Sequence, residues 1–216
     1  MMAFEDPAVT VDVIIFTIKD GRLQLLCVQR ENEPFKGDPA LPGGFIDINE
    51  SLETAATRIL EEKTGVTDVY LEQLYTFGDP DRDPRKRVIT VSYFAIVNHD
   101  DVTVSGDDAD WYPVRDRPDL AFDHDSIVSY ANQRLQWKLE YTTAAFSFLP
   151  EQFTMSDLQK VYETVFDRSF DKRNFRRKIK KLDLVEDTGT KTENVSHRPA
   201  TLYRPNKDVG EIVEIL

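Results

Sequence analysis

The stretch LPGGFIDINESLETAATRILEEKTGV, residues 41–66, decides how the rest of the chain is read. Its glycine pair, Gly43-Gly44, lets a backbone approach another group closely. Ser51 to Lys63 reads as a helix, because Leu52, Ala55, Ala56 and Ile59 or Leu60 recur at helical spacing and Gly65 is suited to ending it. At 3.6 residues per turn, positions 59, 62 and 63 stand at i, i+3 and i+4 on one face. That face reads Ile, Glu, Lys, with a formal charge of zero. Glu61 is rotated about 100° from Glu62 and belongs to another face.

Working outward, AVTVDVIIFTI (8–18) and RLQLLCVQ (22–29) are apolar, β-branched runs around the turn Lys19-Asp20-Gly21, the pattern of a hairpin or meander. Strands are expected at 69–77 and 87–97, flanking the charged loop GDPDRDPRKR, and a helix at Asp123–Leu139. The proline in FSFLPEQF marks the end of a long helical stretch, so a domain boundary is expected near 145, with domains at 1–145 and 146–216.

Composition sets the limits. The 216 residues suit one medium and one small domain, and 40% hydrophobic residues supply a core for each. No apolar run approaches the roughly 18 residues of a membrane span, and MMAFEDPAVT lacks a signal pattern, so a cytoplasmic location is expected. The single cysteine, Cys27, lies in the apolar run LQLLCV and reads as a buried structural thiol. The net charge of −12 is unevenly spread: residues 1–150 hold 14 basic against 27 acidic residues, and residues 151–216 hold 13 against 12. An acidic body joined to a near-neutral tail suggests two units with different partners.

In the tail, FTMSDLQKVYETVF carries Leu158, Val161, Tyr162 and Val165 on one helical face, with Ser156 as the expected cap. Asp171 is expected to cap a second helix whose Phe175, Ile179 and Leu182 face a core. LVEDTG and ATLYRP then read as two short strands around a loop. Two helices, a turn and a hairpin make a winged helix-turn-helix.

The spacing Gly44, five residues, Glu50, seven residues, Arg58, then Leu60, Glu62, Gly65 and Val66, resembles the Nudix box. In that family positions 59, 62 and 63 are all glutamates, a cradle of charge −3 for the divalent cations that help hydrolyse pyrophosphates. This chain departs at Ile59 and Lys63. The resemblance, read with those departures, implies a pocket that binds without needing a cofactor: no catalytic residue beyond a vestigial Glu62, a metal nowhere or weakly at Glu62, and Mg²⁺ only if residual hydrolysis persists. Gly43, Gly44, Arg58, Glu62 and Lys63 are the expected ligand-binding residues of this stretch. For Arg58 and Glu62 an i, i+4 salt bridge stands beside ligand contact as an equal alternative. The segment Phe77–Arg87 is similar to the loop of Nudix proteins that handle ADP-ribose, which adds Phe77, Asp79, Arg82, Arg85 and Arg87; a solvated charged hairpin is the plainer alternative.

DKRNFRRKIKK holds seven basic residues between 172 and 181 and no acid after its first residue. It stands where a winged helix has its recognition helix. Arg173, Asn174 and Arg177 are candidates for base edges. Lys172, Arg176, Lys180 and Lys181 are candidates for phosphates, with His197 and Arg198 in the wing loop. His99 and His124, with no evident metal partners, read as structural or surface residues.

With both halves joined, the chain resembles the Nudix-related transcriptional regulators of NrtR type, repressors of NAD metabolism. The resemblance implies an α+β architecture: a Nudix α/β/α sandwich followed by a C-terminal winged helix. It also implies operator DNA and an ADP-ribose-like effector as partners, and a homodimer, since a two-fold protein reads a two-fold operator. Two alternatives remain open at this point: an active Mg²⁺-dependent ADP-ribose pyrophosphatase, and a regulator of the same layout that answers to a sugar such as arabinose.

Overall fold

The apolar run at the start of the chain becomes a long strand, β1 (Ala8–Lys19), buried without a break from Thr10 to Thr17, as a strand covered on both faces requires. The computed structural model describes residues 6–193, 199–210 and 212–216. The chain divides into two compact units, one made of the residues through Phe16, Gln24–Ala95 and Asp101–Asn132, the other of Thr17–Leu23, Ile96–Asp100 and Gln133 onward.

The first unit is organised by a seven-stranded sheet. Its strands are β1, β2 (Arg22–Gln29), β3 (Pro39–Ala40), β4 (Gly43–Phe45), β5 (Glu72–Phe77), β6 (Val88–Ile96) and β7 (Ala109–Pro113). The central order is β3-β2-β1-β6-β5, with β4 paired to β1 and β7 to β2. Where β1 turns into β2, Asp20 and Gly21 both adopt positive φ, 51° and 71°, the conformation a two-residue hairpin needs to match strand twist. Strands β3, β4 and β7 carry too few residues or too little alternation to announce themselves in the sequence.

Helix α1 (Leu52–Thr64) forms as its spacing predicts. Ser51 caps it by accepting from Thr54 N, and Gly65 ends it at φ 72°, its amide donating to Glu61 O. Ala55, Ala56, Ile59 and Leu60 are buried, and each large side chain among them contributes roughly 1.5–3 kcal/mol by leaving water. Ile59 packs into the core, 2% exposed, while Glu62 and Lys63, at i+3 and i+4 from it, face solvent. Cys27 is buried as expected, and burial pushes its thiol up to about 12. Helix α2 (His124–Tyr141) begins in this unit.

The second unit contains the later part of α2, a 3-10 turn at Thr143–Phe148, helices α3 (Met155–Phe166) and α4 (Lys172–Lys181), and the antiparallel sheet β8-β10-β9. Strand β8 is Phe153–Thr154, β9 is Val185–Lys191 and β10 is Thr201–Pro205. This is the two-helix-and-hairpin pattern read from the sequence. The cap of α3 differs from expectation: Thr154, not Ser156, accepts from Asp157 N, and the Asp157 carboxylate accepts in return from Thr154 N. A reciprocal box satisfies two amides where a lone serine satisfies one, which is why the helix starts earlier. Tyr162 packs against Phe166, Phe170 and Phe175, with ring centroids 6.3, 6.4 and 5.4 Å away. The turn from α3 to α4 is pinned by Glu163, which accepts from Phe170 N at 3.0 Å, and by Gln159, which donates to Phe170 O at 2.9 Å.

Candidate functional site

Most of the predicted site residues that the structure describes fall in two clusters, one in each unit. In the first, antiparallel pairing sets Gly43 opposite Asp12 and Gly44 opposite Val11. A side chain at Gly43 has no room: its Cβ would fall 2.1 Å from Asp12 Oδ1 and 3.1 Å from the Val11 carbonyl. At Gly44 a Cβ would meet Ile59 Cδ1 at 3.1 Å. Ile59 is therefore packing beneath the glycine turn, at the position where the family pattern has a glutamate.

Arg58 ties the following loop to the helix. Its Nε donates to Glu50 Oε2 at 3.0 Å, its Nη2 to the Phe45 carbonyl at 3.3 Å, and its Nη1 to Glu62 Oε2 at 3.2 Å. Hydrogen bonds from Arg58 and from Asp47 N hold the Glu50 carboxyl below the usual range. Both alternatives raised for Arg58 and Glu62 bear on this geometry: the i, i+4 bridge is present, and Glu62 is still 57% exposed. The donor set does not fit a divalent cation. Ile59 offers no oxygen, Glu62 is engaged by Arg58, and Lys63 adds a positive charge. Among the described residues no group of three or more His, Cys, Asp or Glu side chains is arranged to hold a metal.

The charged loop after Phe77 is anchored beside this turn. Arg82 is buried, its fork taken by Asp123 at 2.9 and 2.8 Å, and its Nη2 also reaches Asp12 Oδ2 at 3.3 Å. Asp12 thus joins Gly43 to Arg82. His124 completes the knot. Its Nδ1 accepts from Leu41 N at 3.0 Å, so the ring proton sits on Nε2, which faces Asp12 Oδ1 at 3.7 Å. Burial, only partly opposed by Asp12, pushes the imidazole pKa down and keeps the ring neutral. Arg85 forks Asp83 at 3.0 and 2.7 Å, and Arg87 donates to the Asp79 carbonyl at 2.9 Å. Phe77 belongs to another group, packed with Tyr75 and Tyr130 at 5.3 and 5.9 Å. Arg30 and Arg85 both lie against Phe122, 4.5 and 5.4 Å from its ring centre.

Sequence reasoning missed Asp12, Asp123 and the role of His124. A signal existed for the first: Asp12 is the one charge inside the apolar run 8–18, and a buried charge requires a partner. Its partner lies 70 residues away, a pairing no local pattern reveals.

In the second unit, Asp171 caps α4 by accepting from Asn174 N at 2.8 Å, and Phe175 and Ile179 are buried. Lys172, Arg173, Asn174, Arg177, Lys180 and Lys181 all stand exposed. Arg177 donates to Asn174 Oδ1 at 2.9 Å, which orients both side chains along the helix. Arg176 is half-buried, its Nη2 donating to Ser156 Oγ at 3.0 Å, and Lys180 lies 5.7 Å from the Tyr203 ring centre. His197 and Arg198 lie outside the described residues.

Residues 6–131 match the NUDIX domain, and residues 145–204 match the NrtR DNA-binding winged helix domain. The ADPR responsive transcriptional repressor NtrR of Acinetobacter baylyi is 38% identical over 208 residues, covering 93% of this chain and 83% of its own. The crystal structure of Shewanella oneidensis NrtR complexed with a 27mer DNA is 40% identical, with a TM-score of 0.80 and coverage of 92% of this chain and 93% of that one. The NUDIX domain of the same protein, complexed with ADP ribose, is 43% identical, with a TM-score of 0.56, and covers 62% of this chain and 91% of that one.

Proposed function

Because the chain belongs to the Nudix family and carries an NrtR-type winged helix behind its Nudix domain, we propose that it is a repressor that binds operator DNA and is governed by ADP-ribose or a related nucleotide sugar. The observation that carries this reading is the helix face of the box. Ile59 lies in the core and Glu62 is spent on Arg58, so the turn at Gly43-Gly44 is kept while the carboxylates of a metal cradle are not. We place the boundary of the DNA-binding domain at 145–146, within the 3-10 turn; the winged-helix match beginning at residue 145 supports it.

Gly43, Gly44, Arg58, Glu62, Lys63, Phe77, Asp79, Arg82, Arg85 and Arg87 are the proposed effector residues. Arg58, Arg82 and Arg85 act mainly by holding their loops through carboxylates of the chain itself, and Lys63 and Arg87 are the cations left at the surface. Lys172, Arg173, Asn174, Arg176, Arg177, Lys180, Lys181 and Arg198 are the proposed DNA residues. The protein acts as a cytoplasmic homodimer, and no helix among the described residues is long and apolar enough to cross a membrane. The effector favours a dimer arrangement in which the two recognition helices no longer match successive major grooves.

The test is one sample of purified protein with ADP-ribose and Mg²⁺, followed for product and for melting temperature. A rise in Tm without product supports sensing. Turnover at enzyme rates, lost in Glu62→Gln, would establish the pyrophosphatase instead. A Tm that answers to arabinose and not to ADP-ribose would move the effector to the sugar class.

A further inference from the structure

A cavity of about 160 Å³ lies within the second unit, between the start of α3, the inner flank of α4 and strand β10 of the wing. Thr154, Arg176, Lys180, Thr201 and Tyr203 line it. Sites for drug-sized molecules run to about 300–1,000 Å³, so this one is too small for a nucleotide sugar and suits a single small group. The chemistry of its wall selects the group. Two cations from α4, Arg176 and Lys180, line it one turn apart, together with the polar side chains of Thr201 and Tyr203. Arg176 Nε is buried with no hydrogen-bond partner among the described residues, although Nη2 of the same guanidinium is held by Ser156. A buried donor without an acceptor costs about 1–3 kcal/mol, and an incoming oxyanion removes that cost. The first amides of α3 add partial positive charge. The one carboxylate of that turn, Asp157, is already bonded to Thr154.

We propose that this cavity is a seat for one phosphate group, shared by Arg176 and Lys180 and bordered by Thr154, Thr201 and Tyr203. The proposal rests on the DNA-binding reading of the second unit and refines it. The seat lies beside the recognition helix and opens onto the wing strand, so its phosphate is one of the DNA backbone; free inorganic phosphate shares the chemistry. Arg176 and Lys180 then contact the same phosphate, where a basic helix lying along DNA would place them on two.

The experiment is duplex binding by the full-length protein across a salt series, using a duplex selected by the protein from a random library. Each phosphate neutralised contributes about 0.9 to the slope of log affinity against log salt. For the double variant Arg176→Gln/Lys180→Gln the seat predicts a slope reduced by about 0.9 relative to wild type, the worth of one phosphate. A reduction of about 1.8 means two independent phosphates, and no reduction means none; either overturns the proposal. Lys180→Gln alone, at an exposed position, provides a fold-neutral check: weaker binding with a slope nearly that of wild type is expected, because Arg176 still holds the phosphate. A slope reduced by a full 0.9 in this single variant would contradict sharing. A Tm rise in inorganic phosphate over chloride at equal ionic strength, absent in the double variant, assigns the seat to free phosphate as well. Wild-type protein that selects no duplex from the library breaks the DNA reading itself, an outcome distinct from an unchanged slope.

Discussion

Helices α1 and α4 are both short, both capped by a side-chain oxygen at the N-terminus, and both rich in charge, yet they dispose of that charge in opposite ways. On α1, Arg58 is bound to Glu50 and Glu62, so the charge is settled inside the domain. On α4, none of the five basic residues Lys172, Arg173, Arg176, Arg177 and Lys180 forms an ion pair among the described residues, and the hydrogen bonds they make go to neutral partners, Ser156 and Asn174. A charge that finds its counter-ion at home builds a site; one that does not is left for a partner. The acidic first unit and near-neutral tail express the same division at the level of the whole sequence.

The sharpest way to break this comparison is at Arg82, the extreme of internally settled charge. Arg82→Met leaves Asp12 and Asp123 without their buried partner, and removal of one member of such a pair costs roughly 3–5 kcal/mol. Urea unfolding should show a loss of that order; a loss under about 0.5 kcal/mol, the usual surface value, would mean the knot carries no weight. At the other extreme, Arg177→Ala should leave unfolding unchanged within about 0.5 kcal/mol and weaken binding to a selected duplex by about 1–3 kcal/mol, most at one base position. Equal weakening across all sequences would move Arg177 from bases to phosphates.

Much of this was legible in the sequence, and the failures have physical causes. The box spacing, the helix end at Gly65, the cap Asp171 and the acid-free face of α4 are local, so a linear pattern carries them. Helical spacing from Leu52, Ala55 and Ala56 leaves the next core position open between Ile59 and Leu60, and the fold buries both. The true cap of α3, Thr154, shows itself only when Asp157 is read as its capping-box partner rather than as a surface charge. Asp12, Arg82 and Asp123 come together only through the fold, from three distant segments.

A smaller effect sharpens the picture of the first unit. His124 is buried neutral, with its folded pKa depressed. The unfolded ring, with an ordinary pKa of about 6.5, therefore takes up its proton first as pH falls. Stability from this residue is fully present above that value and is lost as pH falls through the window toward the folded pKa. Thermal unfolding from pH 7.5 down to 5.5 should show Tm falling in wild type and a shallower fall in His124→Gln. Smallest of all, Glu163 is held below the usual carboxylate range by Phe170 N. Its contribution is present above the unfolded carboxyl pKa of about 4.3 and fades at more acid pH, so Glu163→Gln should match wild type at pH 7 in urea unfolding only if the amide keeps the Phe170 bond.

The central claim is that one unit senses and the other answers, which linkage makes measurable from both ends. The direct measurement is duplex affinity by fluorescence anisotropy with and without saturating ADP-ribose, paired with ADP-ribose affinity by calorimetry with and without the duplex. ADP-ribose should weaken duplex binding by roughly 5–150-fold, and the duplex should weaken ADP-ribose binding by the same factor. Duplex affinity indifferent to ADP-ribose, in a protein that binds both, would contradict it.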